Sequence, residues 1–556
     1  MKRLVLPFLS LALAAPLPAH ARAENHRQSP WPKTVAEQSH YASTSTVAEV
    51  RAFMDALAAK DAHLVPYQPK DAPLATEAGK PLLAWRLPAT KPGALRVYIN
   101  ANIHGGEVEG KEAMQELFRE LLEGQHAELR ANLDLVVCPA YNADGTDALD
   151  PSIRRHQPNP ASGVGRREDA RGLDLNRDLM KAQAANTRWF LAMMDQFDPA
   201  AVLDLHTTDG STHGFRLTYA PSLVVGGDAG VGAMNRALLS DVRESLLKQD
   251  LPTYDYGNYG PKEHDLNPTE WTSFEAFPRY LSNYPGLRNR LAILSEAYVY
   301  DSYPQRIKDT KAFVVACLEW LATHKDQVRA TEAKADAAWR KTRPELPLKA
   351  EMVKTEERSF TVVDPIWNAD RKLVGEKGRR EVTLPSFVSF EGRDFVKLPK
   401  GYLVDPAYAF KVRPVLEAHG IQVLPGSTRP KAPLGYFTET GRTLAKEAFQ
   451  GVFALDLQGG WSLQAPSKPM LQTWTEADLD HALWVPLDQK NGRVAFYLLD
   501  PRSPDGLLHW GFFNESLVRS DLAWGEPPRF PILAVDPQAE EKVTGGEPPP
   551  PFRHPE

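Results

Sequence analysis

Short apolar runs alternate with amphipathic stretches along the first half of the chain. Runs typical of buried strands occur at Leu95–Ile103, Leu133–Pro139, Ala201–Leu205 and Leu291–Leu294. Apolar residues recur at helical spacing in Thr46–Ala58, Lys111–Leu122, Asn186–Phe197, Val231–Leu247 and Thr310–His324. Nearly continuous apolar strands separated by amphipathic helices are typical of a parallel sheet covered on both faces. We therefore predict that residues 44–325 form an α/β domain, with a mixed, mostly parallel sheet sandwiched by helices.

A different pattern begins after residue 325. Residues 326–349 are charged and rich in alanine, which predicts a solvated helix followed by a linker. Residues 350–540 contain one helical pattern, Ala407–Ala418, and short strand patterns at Ser359–Val363, Glu381–Phe390, Gly451–Leu457 and Arg493–Leu499. We predict that residues 350–540 form a strand-rich accessory region. Residues 541–556 include four consecutive prolines and are expected to be a disordered tail.

Aromatic residues are concentrated in parts of this accessory region. The residues concerned are Trp461, Trp474, Trp484, Trp510, Phe512 and Phe513. They could line a ligand-binding face, but aromatic side chains more often supply the buried area of a core. We expect them to belong to the core.

The first residues have the pattern of a secretory signal peptide. Lys2 and Arg3 precede an apolar stretch over residues 4–15, and small residues at 19–21 or 21–23 offer a cleavage site. The apolar stretch is shorter than the roughly 20 residues that a membrane span needs. We expect residues 1–23 to be removed, which predicts an exported protein, periplasmic or secreted, with no membrane span.

The net charge bears on the kind of binding partner, and the cysteine content bears on whether a disulfide forms. The formal net charge is -6 and the basic residues are dispersed, which argues against a nucleic acid partner. The two cysteines, Cys138 and Cys317, lie in an apolar strand pattern and a helical pattern. Each is most simply a buried thiol, although an oxidising compartment would permit a disulfide between them.

The first residues that suggest chemistry follow the Leu95–Ile103 run. His104 and Glu107 are separated by two glycines, which let the backbone bend tightly. An imidazole and a carboxylate on such a loop suit a zinc site that needs one more protein ligand and one open position. The same stretch also fits a polar loop whose carboxylate caps the next helix.

Two further polar residues occur at predicted strand ends. His206 follows Ala201–Leu205, and Glu296 follows Leu291–Leu294 in an apolar setting. Ligands of open α/β sheets bind outside the carboxyl ends of the strands, so both residues are expected at the same edge as His104. A carboxylate in an apolar setting lowers stability unless it is paired or functional. The alternative is that Glu296 faces solvent at the strand end.

Between these segments lies Asp174-Leu175-Asn176-Arg177, and with it the set resembles the zinc metallocarboxypeptidase family of the carboxypeptidase A type. The order is His-x-x-Glu, then Asp-x-Asn-Arg, then a histidine and a glutamate at strand ends. The resemblance covers roughly residues 44–325. No single motif is specific, but four motifs in the right order are.

The resemblance implies a metal centre and a general base. His104, Glu107 and His206 would bind one Zn²⁺, and Glu296 would act as the catalytic base and acid. Asp174 would accept a hydrogen bond from His104, which would fix the tautomer of that imidazole.

The resemblance also implies a site for the substrate's terminal carboxylate. Asn176 and Arg177 would bind it, because a planar guanidinium matches a carboxylate in a forked geometry. A further family arginine polarises the scissile carbonyl. We favour Arg155 among the candidates Arg154, Arg155, Arg166 and Arg167.

These expectations describe an exported zinc metallocarboxypeptidase that hydrolyses the C-terminal peptide bond of peptides with a free C-terminus. The alternative enzyme is a related zinc amidase or deacylase acting on acylated amino acids or cell-wall stem peptides. A third class is a binding protein that has lost catalysis. Side-chain specificity, for which the stretch Arg279–Arg290 is the place to look, stays open. So does the tyrosine that covers the substrate, with Tyr256, Tyr259, Tyr280 and Tyr284 as candidates.

Overall fold

A computed structural model describes residues 30–208, 210–262, 266–369, 372–464, 474–517 and 530–537. The predicted signal peptide at residues 1–23 and the predicted tail at residues 541–556 lie outside these ranges.

Helices and strands alternate through most of the described chain. The helices are α1 (Val35–Gln38), α2 (Val47–Ala58), α3 (Glu109–Leu122), α4 (Ala127–Asn132), α5 (Ala143–Thr146), α6 (Ala185–Gln196), α7 (Ala229–Leu247), α8 (Tyr284–Leu287), α9 (Tyr303–Thr342), α10 (Ala409–Ala418), α11 (Glu476–His481), α12 (Gly492–Leu499) and α13 (Asn514–Leu517). Short 3₁₀ helices occur at Leu175–Arg177, Pro406–Tyr408 and Gly426–Thr428. Among the described helices, none is both long enough and apolar enough to cross a membrane.

The strands of the first half are β1 (Val65–Pro66), β2 (Trp85–Leu87), β3 (Leu95–Ala101), β4 (Leu133–Cys138), β5 (Ala201–Thr207), β6 (Leu217–Pro221), β7 (Thr253–Asp255), β8 (Asn258–Gly260), β9 (Glu270–Thr272) and β10 (Leu291–Ala297). Those of the second half are β11 (Leu346–Val353), β12 (Glu356–Trp367), β13 (Leu373–Phe387), β14 (Ser389–Val396), β15 (Gly401–Val404), β16 (Leu424–Pro425), β17 (Leu434–Leu444), β18 (Leu455–Ser462), β19 (Leu483–Pro486) and β20 (Ile532–Val535).

Eight of these strands form the central sheet, in the order β1-β2-β4-β3-β5-β10-β6-β7. The middle strands β4, β3, β5 and β10 run parallel, whereas β2 and β6 pair antiparallel to their neighbours β4 and β10. The prediction of a mixed, mostly parallel sheet is therefore confirmed. Every residue of β5 and β10 is buried, as expected for strands covered on both faces.

Different parts of the chain cover the two faces of the central sheet. Successive strand residues point to opposite faces, so Ile99 and Leu203 pack into a core with α2, α3, α7 and α9. Tyr98 and Val202 point the other way, into a core that contains α6 and residues from α10, α12 and the strands around them. The accessory region thus supplies much of one covering layer of the sheet.

The helix α9 joins the two halves of the chain without a break. It has 40 residues and passes through the predicted boundary between residues 325 and 326. Its last turns are not fully solvated, since Ala335 and Trp339 are buried and the Trp339 indole donates to the Gln489 carbonyl. Residues 326–349, predicted as a helix and linker, therefore comprise the end of α9 and the start of β11.

The accessory region is rich in strands, as predicted, and shares one sheet with the first half. A six-stranded sheet has the order β16-β19-β15-β20-β17-β18, and β11 pairs with β14. In a further sheet, β12 and β13 continue into β9 and β8. The aromatic residues Trp461, Trp474, Trp484, Trp510 and Phe513 are buried, which confirms their assignment to the core.

One predicted strand of the accessory region is wrong. The run Arg493–Leu499 belongs to helix α12, in which every residue is buried. A short apolar run that is buried on all sides shows no periodicity that separates a strand from a helix. The choice depends on tertiary packing, which local sequence does not contain.

Cys138 and Cys317 are free, buried thiols. Cys138 lies in the core that includes the accessory region, and Cys317 lies in the core on the other face of the sheet. The simpler of the two sequence interpretations therefore holds.

His419, at the end of α10, joins the accessory region to the first half of the chain. Its Nε2–H donates to the Met180 carbonyl at 3.2 Å, and its Nδ1 accepts from the Tyr284 hydroxyl at 2.7 Å. The Asn491 amide donates to the His419 carbonyl at 2.8 Å. Both ring nitrogens of the neutral imidazole are satisfied, and burial lowers the pKa of His419 to about 3.

This depressed pKa makes stability depend on pH. Because the unfolded chain binds the proton near pH 6.5 and the folded protein only near pH 3, the contribution of His419 is complete above pH 6.5 and is lost as pH falls. One such group gives a slope of about 1.4 kcal/mol per pH unit. We predict that His419→Gln reduces the slope of unfolding free energy between pH 6 and pH 4 by about this amount. Denaturant titrations measure it, with exposed His481→Gln as the control that keeps the original slope.

Candidate active site

The loop that carries His104 and Glu107 is tightly built. It follows β3 and is held by Asn102, whose amide donates to the carbonyls of His104 at 2.8 Å and Glu107 at 3.1 Å. Gly105 has no room for a side chain, because a Cβ there would lie 2.3 Å from the carbonyl carbon of Gly145. The two glycines between the ligands therefore allow a close approach of backbone to backbone, in addition to the bend.

His104, Glu107 and His206 converge at the carboxyl edge of the central sheet. One ligand atom from each lies within 4.8 Å of the other two, and all three residues are buried. The Nδ1 atoms of His104 and His206 lie 3.0 Å and 2.9 Å from the two carboxylate oxygens of Glu107. Three side chains from two segments of the chain thus face one point.

Buried carboxylates orient both imidazoles. His104 Nε2 lies 3.3 Å from Asp174 Oδ1, and His206 Nε2 lies 2.8 Å from Asp204 Oδ2. The second oxygen of Asp204 accepts from the Asn100 amide at 2.8 Å. We assign the proton of each imidazole to Nε2, because that nitrogen faces a carboxylate acceptor. Each Nδ1 then faces Glu107 with its lone pair.

This donor set fits a zinc ion. Two imidazole nitrogens and a carboxylate are the ligands of many zinc enzymes, and three protein ligands leave a fourth position for water or substrate. Three acceptors that face one another in a buried place need a cation between them. His104, Glu107 and His206 provide that arrangement.

The electrostatic surroundings favour the ionised form of Glu107 and positive charge on His206. Burial alone would raise the pKa of Glu107, but His104 and Arg154 outweigh it and hold that pKa well below its usual range. Burial alone would lower the pKa of His206, but the charge and hydrogen bond of Asp204 raise it well above its usual value. The same carboxylates would stabilise a metal ion between the ligands.

Asp204 is a functional candidate that sequence analysis missed. It lies two residues before His206 in β5, so both side chains point to the same face of the sheet. The available signal is an acidic residue inside an otherwise apolar strand, two positions from a candidate metal ligand.

A buried ion pair supports the site from below. Glu109, at the start of α3, accepts a hydrogen bond from the Thr207 hydroxyl and lies 3.4 Å from Arg306. Both charged side chains are fully buried. This pair, which the sequence did not reveal, ties α3, β5 and α9 together at residues close in sequence to His206 and Glu107.

Glu296 lies beside His206. The strands β5 and β10 are parallel, and Glu296 pairs in register with His206. Paired residues of adjacent strands lie about 5 Å apart and point to the same face. The side chain of Glu296 is therefore on the metal-ligand face of the sheet. Here β10 extends to Ala297, so that Glu296 lies within the strand rather than after it.

Two arginines point at the ligand cluster. Arg154 donates to Glu107 Oε1. Arg167 donates from Nε to Asp174 Oδ2 at 2.9 Å, and its Nη1 lies 3.4 Å from His104 Nδ1. Burial would raise the pKa of Asp174, but the charges of His104 and Arg167 hold it well below its usual range.

The other two candidate arginines, Arg155 and Arg166, are exposed. Arg155 is the residue that sequence analysis favours for polarising the carbonyl. In a run of adjacent arginines, the direction of each side chain depends on the path of an irregular loop. Spacing along the sequence does not determine that path.

Asn176 and Arg177 lie on a short 3₁₀ helix whose first turn is capped by Asp174. The Asn176 side-chain carbonyl accepts from the Leu281 N–H at 2.8 Å. The Arg177 guanidinium lies 4.5 Å above the ring of Tyr280 and 3.7 Å from Asp174. Arg177 is thus held between an aromatic ring and a carboxylate, next to the metal-ligand cluster. We refer to Asn176 and Arg177 as the clamp.

The four candidate tyrosines differ in position. Tyr280 lies against the clamp. The Tyr259 hydroxyl donates to a carbonyl of β12, and the Tyr284 hydroxyl is bonded to His419. Tyr256 is half-buried.

The accessory region contacts the loop that follows Glu296. Tyr300, four residues after Glu296, donates to the Gly210 carbonyl at 2.9 Å. Its ring lies 5.3 Å from that of Trp367, at the end of β12, and 6.4 Å from that of His156. The β12–β13 hairpin therefore reaches the loop that follows the general-base candidate.

Part of this chain is similar to a known protein family. Residues 50–198 match the family model described as zinc carboxypeptidase. The matched segment contains His104, Glu107 and the Asp174–Arg177 motif, and it ends before His206 and Glu296. The resemblance to zinc carboxypeptidases is thereby confirmed.

The curated relatives that match are named carboxypeptidases. The probable carboxypeptidase 2 of Arthroderma benhamiae is 30% identical over 123 residues, which is 22% of this chain and 20% of that protein. Carboxypeptidase 2 of Trichophyton rubrum is 28% identical over 114 residues, 20% of this chain and 18% of that protein. The chain spans about a fifth of the length of the curated relatives that it matches.

Solved structures with a similar chain path include two bacterial enzymes. A metallo-carboxypeptidase from Pseudomonas aeruginosa, in complex with (2-guanidinoethylmercapto)succinic acid, is 18% identical with a TM-score of 0.38, and the match covers 51% of this chain and 70% of that one. A metallo-carboxypeptidase from Burkholderia cenocepacia is 17% identical with a TM-score of 0.38, at the same coverage.

The geometry predicts graded effects on metal binding. His206→Ala removes a ligand and should abolish stoichiometric zinc. Asp204→Asn keeps the ligand but weakens its orientation, and should lower zinc affinity by about 10–100-fold. Metal content by mass spectrometry and chelator competition measure these changes, with exposed His481→Ala as the control. Full zinc affinity in Asp204→Asn would show that Asp204 does not orient the ligand.

Proposed function

We propose that this protein is an exported zinc metallocarboxypeptidase, because residues 50–198 match the zinc carboxypeptidase family model. It removes the C-terminal residue from peptides with a free C-terminus. The observation that carries the proposal is the convergence of His104, Glu107 and His206 on the face of the sheet that also carries Glu296.

One Zn²⁺ held by His104, Glu107 and His206 would supply Lewis-acid activation of water and of the scissile carbonyl. Glu296 accepts the proton of the attacking water and returns it to the leaving amine. Its place beside His206 in the register of β5 and β10 supports this role. Its 9% exposure is consistent with a base that works in a largely water-excluded site.

The clamp explains why the substrate needs a free C-terminus. A guanidinium presents two parallel N–H donors to a carboxylate, and charge-assisted hydrogen bonds of this kind are strong. Arg177 is pre-positioned by its stacking on Tyr280, so less freedom is lost when the carboxylate binds. The Leu281 N–H donates to the side-chain carbonyl of Asn176, so the NH₂ group of Asn176 can donate to the same substrate carboxylate.

For the arginine that polarises the scissile carbonyl, we propose Arg154 or Arg167 rather than Arg155. Their guanidinium groups lie at the metal ligands. A positive charge there would stabilise the negative charge that develops on the carbonyl oxygen. The exposed Arg155 is the matched control in a comparison of arginine-to-glutamine variants.

The proposal of export rests on the N-terminal pattern of Lys2, Arg3 and the apolar residues 4–15. The mature protein would begin near residue 24. Sequencing the N-terminus of protein recovered from the medium or periplasm tests this.

Replacing the general base should stop catalysis and leave the metal in place. Glu296→Gln keeps the size and polarity of the side chain but cannot accept the proton. We predict a fall in kcat of at least about 100-fold, at unchanged zinc content. Steady-state hydrolysis of an N-blocked dipeptide, with zinc measured on the same sample, tests this. Retention of more than a tenth of wild-type kcat would place the base elsewhere.

Recognition of the terminal carboxylate should depend on Arg177. A lysine cannot reproduce the forked geometry, so Arg177→Lys should lower kcat/KM by about 10–100-fold, mostly through KM, since hydrogen bonds to charged groups contribute roughly 1.5–3 kcal/mol. Zinc content should not change. Arg171→Lys, whose parent side chain binds Asp169, is the matched control.

The wild-type enzyme should discriminate strongly against peptides whose C-terminus is amidated. Equal hydrolysis of the free and the amidated peptide would instead indicate an amidase or deacylase.

A further inference from the structure

A turn of the accessory region reaches the centre of the site. The side-chain carbonyl of Gln450 accepts the backbone N–H of Asp174 at 2.9 Å, although the two residues are 276 positions apart. Asp174 binds His104 and caps the 3₁₀ helix that carries the clamp. A residue outside the zinc carboxypeptidase domain thus fixes the backbone from which the clamp starts.

The conformation of this turn is well defined. Phe449 and Val452 exchange two backbone hydrogen bonds of 2.9 Å and 3.0 Å. Gln450 and Gly451, between them, both have positive φ, 51° and 74°. This is the pattern of a two-residue type I′ turn. Glutamine is an unusual choice for positive φ, which agrees with a role for its side chain.

A second segment of the accessory region supports the other side of the clamp. Asp505 accepts the backbone N–H of Arg279 at 2.7 Å and pairs with its guanidinium at 2.9 Å. Both side chains are buried. The next residues are Tyr280, which stacks under Arg177, and Leu281, which bonds Asn176. Asp505 therefore anchors the segment on which the clamp rests.

The turn at Phe449–Val452 and the segment that contains Asp505 contact each other. The ring of Phe449 stacks on Trp510 with 6.2 Å between centroids and 27° between planes. The Trp510 indole donates to Asp505 at 2.9 Å. His509, beside Trp510, bonds Asp456 on β18 at 2.7 Å. The Phe449–Val452 turn and the Asp505–Trp510 segment form one unit, which we name the bracket.

We propose that the bracket completes the carboxylate-binding site, with Gln450 as a positioning residue that acts through Asp174 on the clamp. This inference rests on the proposed carboxypeptidase function. It states that recognition of the substrate's C-terminus requires the accessory region, while binding of the metal does not. The bracket acts on the Arg177 guanidinium through two separate sets of contacts. One set includes Asp174, and the other includes the Arg279–Leu281 segment.

The test uses the full-length zinc enzyme and two variants of the turn. Gln450→Met keeps side-chain length but removes the acceptor. Gln450→Asn keeps an amide and suits positive φ but is one methylene too short to keep the bond. We expect each to raise KM for a peptide with a free C-terminus by about 10-fold, with kcat within about 2-fold of wild type. Zinc content and the thermal midpoint should not change.

The control is Glu447→Gln, an exposed residue on the same connection between β17 and β18, which should leave KM unchanged. A third variant of the turn, Phe449→Leu, removes the ring stack on Trp510 and should also raise KM. A purely structural role for the turn would lower the thermal midpoint and leave KM unaltered, because misfolded protein reduces the amount of active enzyme and not its affinity.

The inference is overturned if both Gln450 variants keep the wild-type KM, or if their defect lies in zinc content or thermal midpoint alone. Failure of the proposed function gives a different result, since the wild-type enzyme would then not hydrolyse the free peptide in preference to its amidated form.

Discussion

The site depends on the burial of three cation ligands that face one another. His104, Glu107 and His206 can lie together away from water only because other groups balance them. Asp174 and Asp204 hold the outer nitrogens of the imidazoles, and these two aspartates are themselves bonded to arginine or amide groups. The parallel register of β3, β5 and β10 brings the segments to one edge. The sheet therefore determines where a metal ion would bind, and Asp174 and Asp204 determine which imidazole nitrogens would face it.

The second half of the chain takes part in both fold and site. It supplies one covering layer of the central sheet, shares the β12-β13-β9-β8 sheet with the first half, and contacts the surroundings of the site. Among the described residues these contacts include Gln450 at Asp174, Asp505 at Arg279 and Trp367 at Tyr300. The match to the zinc carboxypeptidase family ends at residue 198. The surroundings of the clamp in this chain are therefore built largely from sequence outside the matched segment.

Sequence patterns were sufficient for the central sheet and for the ligand cluster, for a physical reason. Apolar strands have a clear period and length, and polar residues at their carboxyl ends must meet at one edge. The patterns did not reveal Asp204, which lies inside a strand, or which of four nearby arginines faces inward. Both depend on side-chain direction in three dimensions. The helix α12 and the Gln450 contact depend on partners hundreds of residues away, for which a single sequence carries no local signal.

One face of the central sheet is covered by residues from the second half of the chain, which are synthesised after the sheet itself. Tyr98 and Val202 are made early, but the residues of α10 and α12 that shield their face are made some two to four hundred residues later. Until those helices are made, the part of this face that α6 does not cover is open to other chains, and exposed apolar surfaces promote aggregation. The core on this face of the sheet is therefore complete only after residues 409–499 have been made.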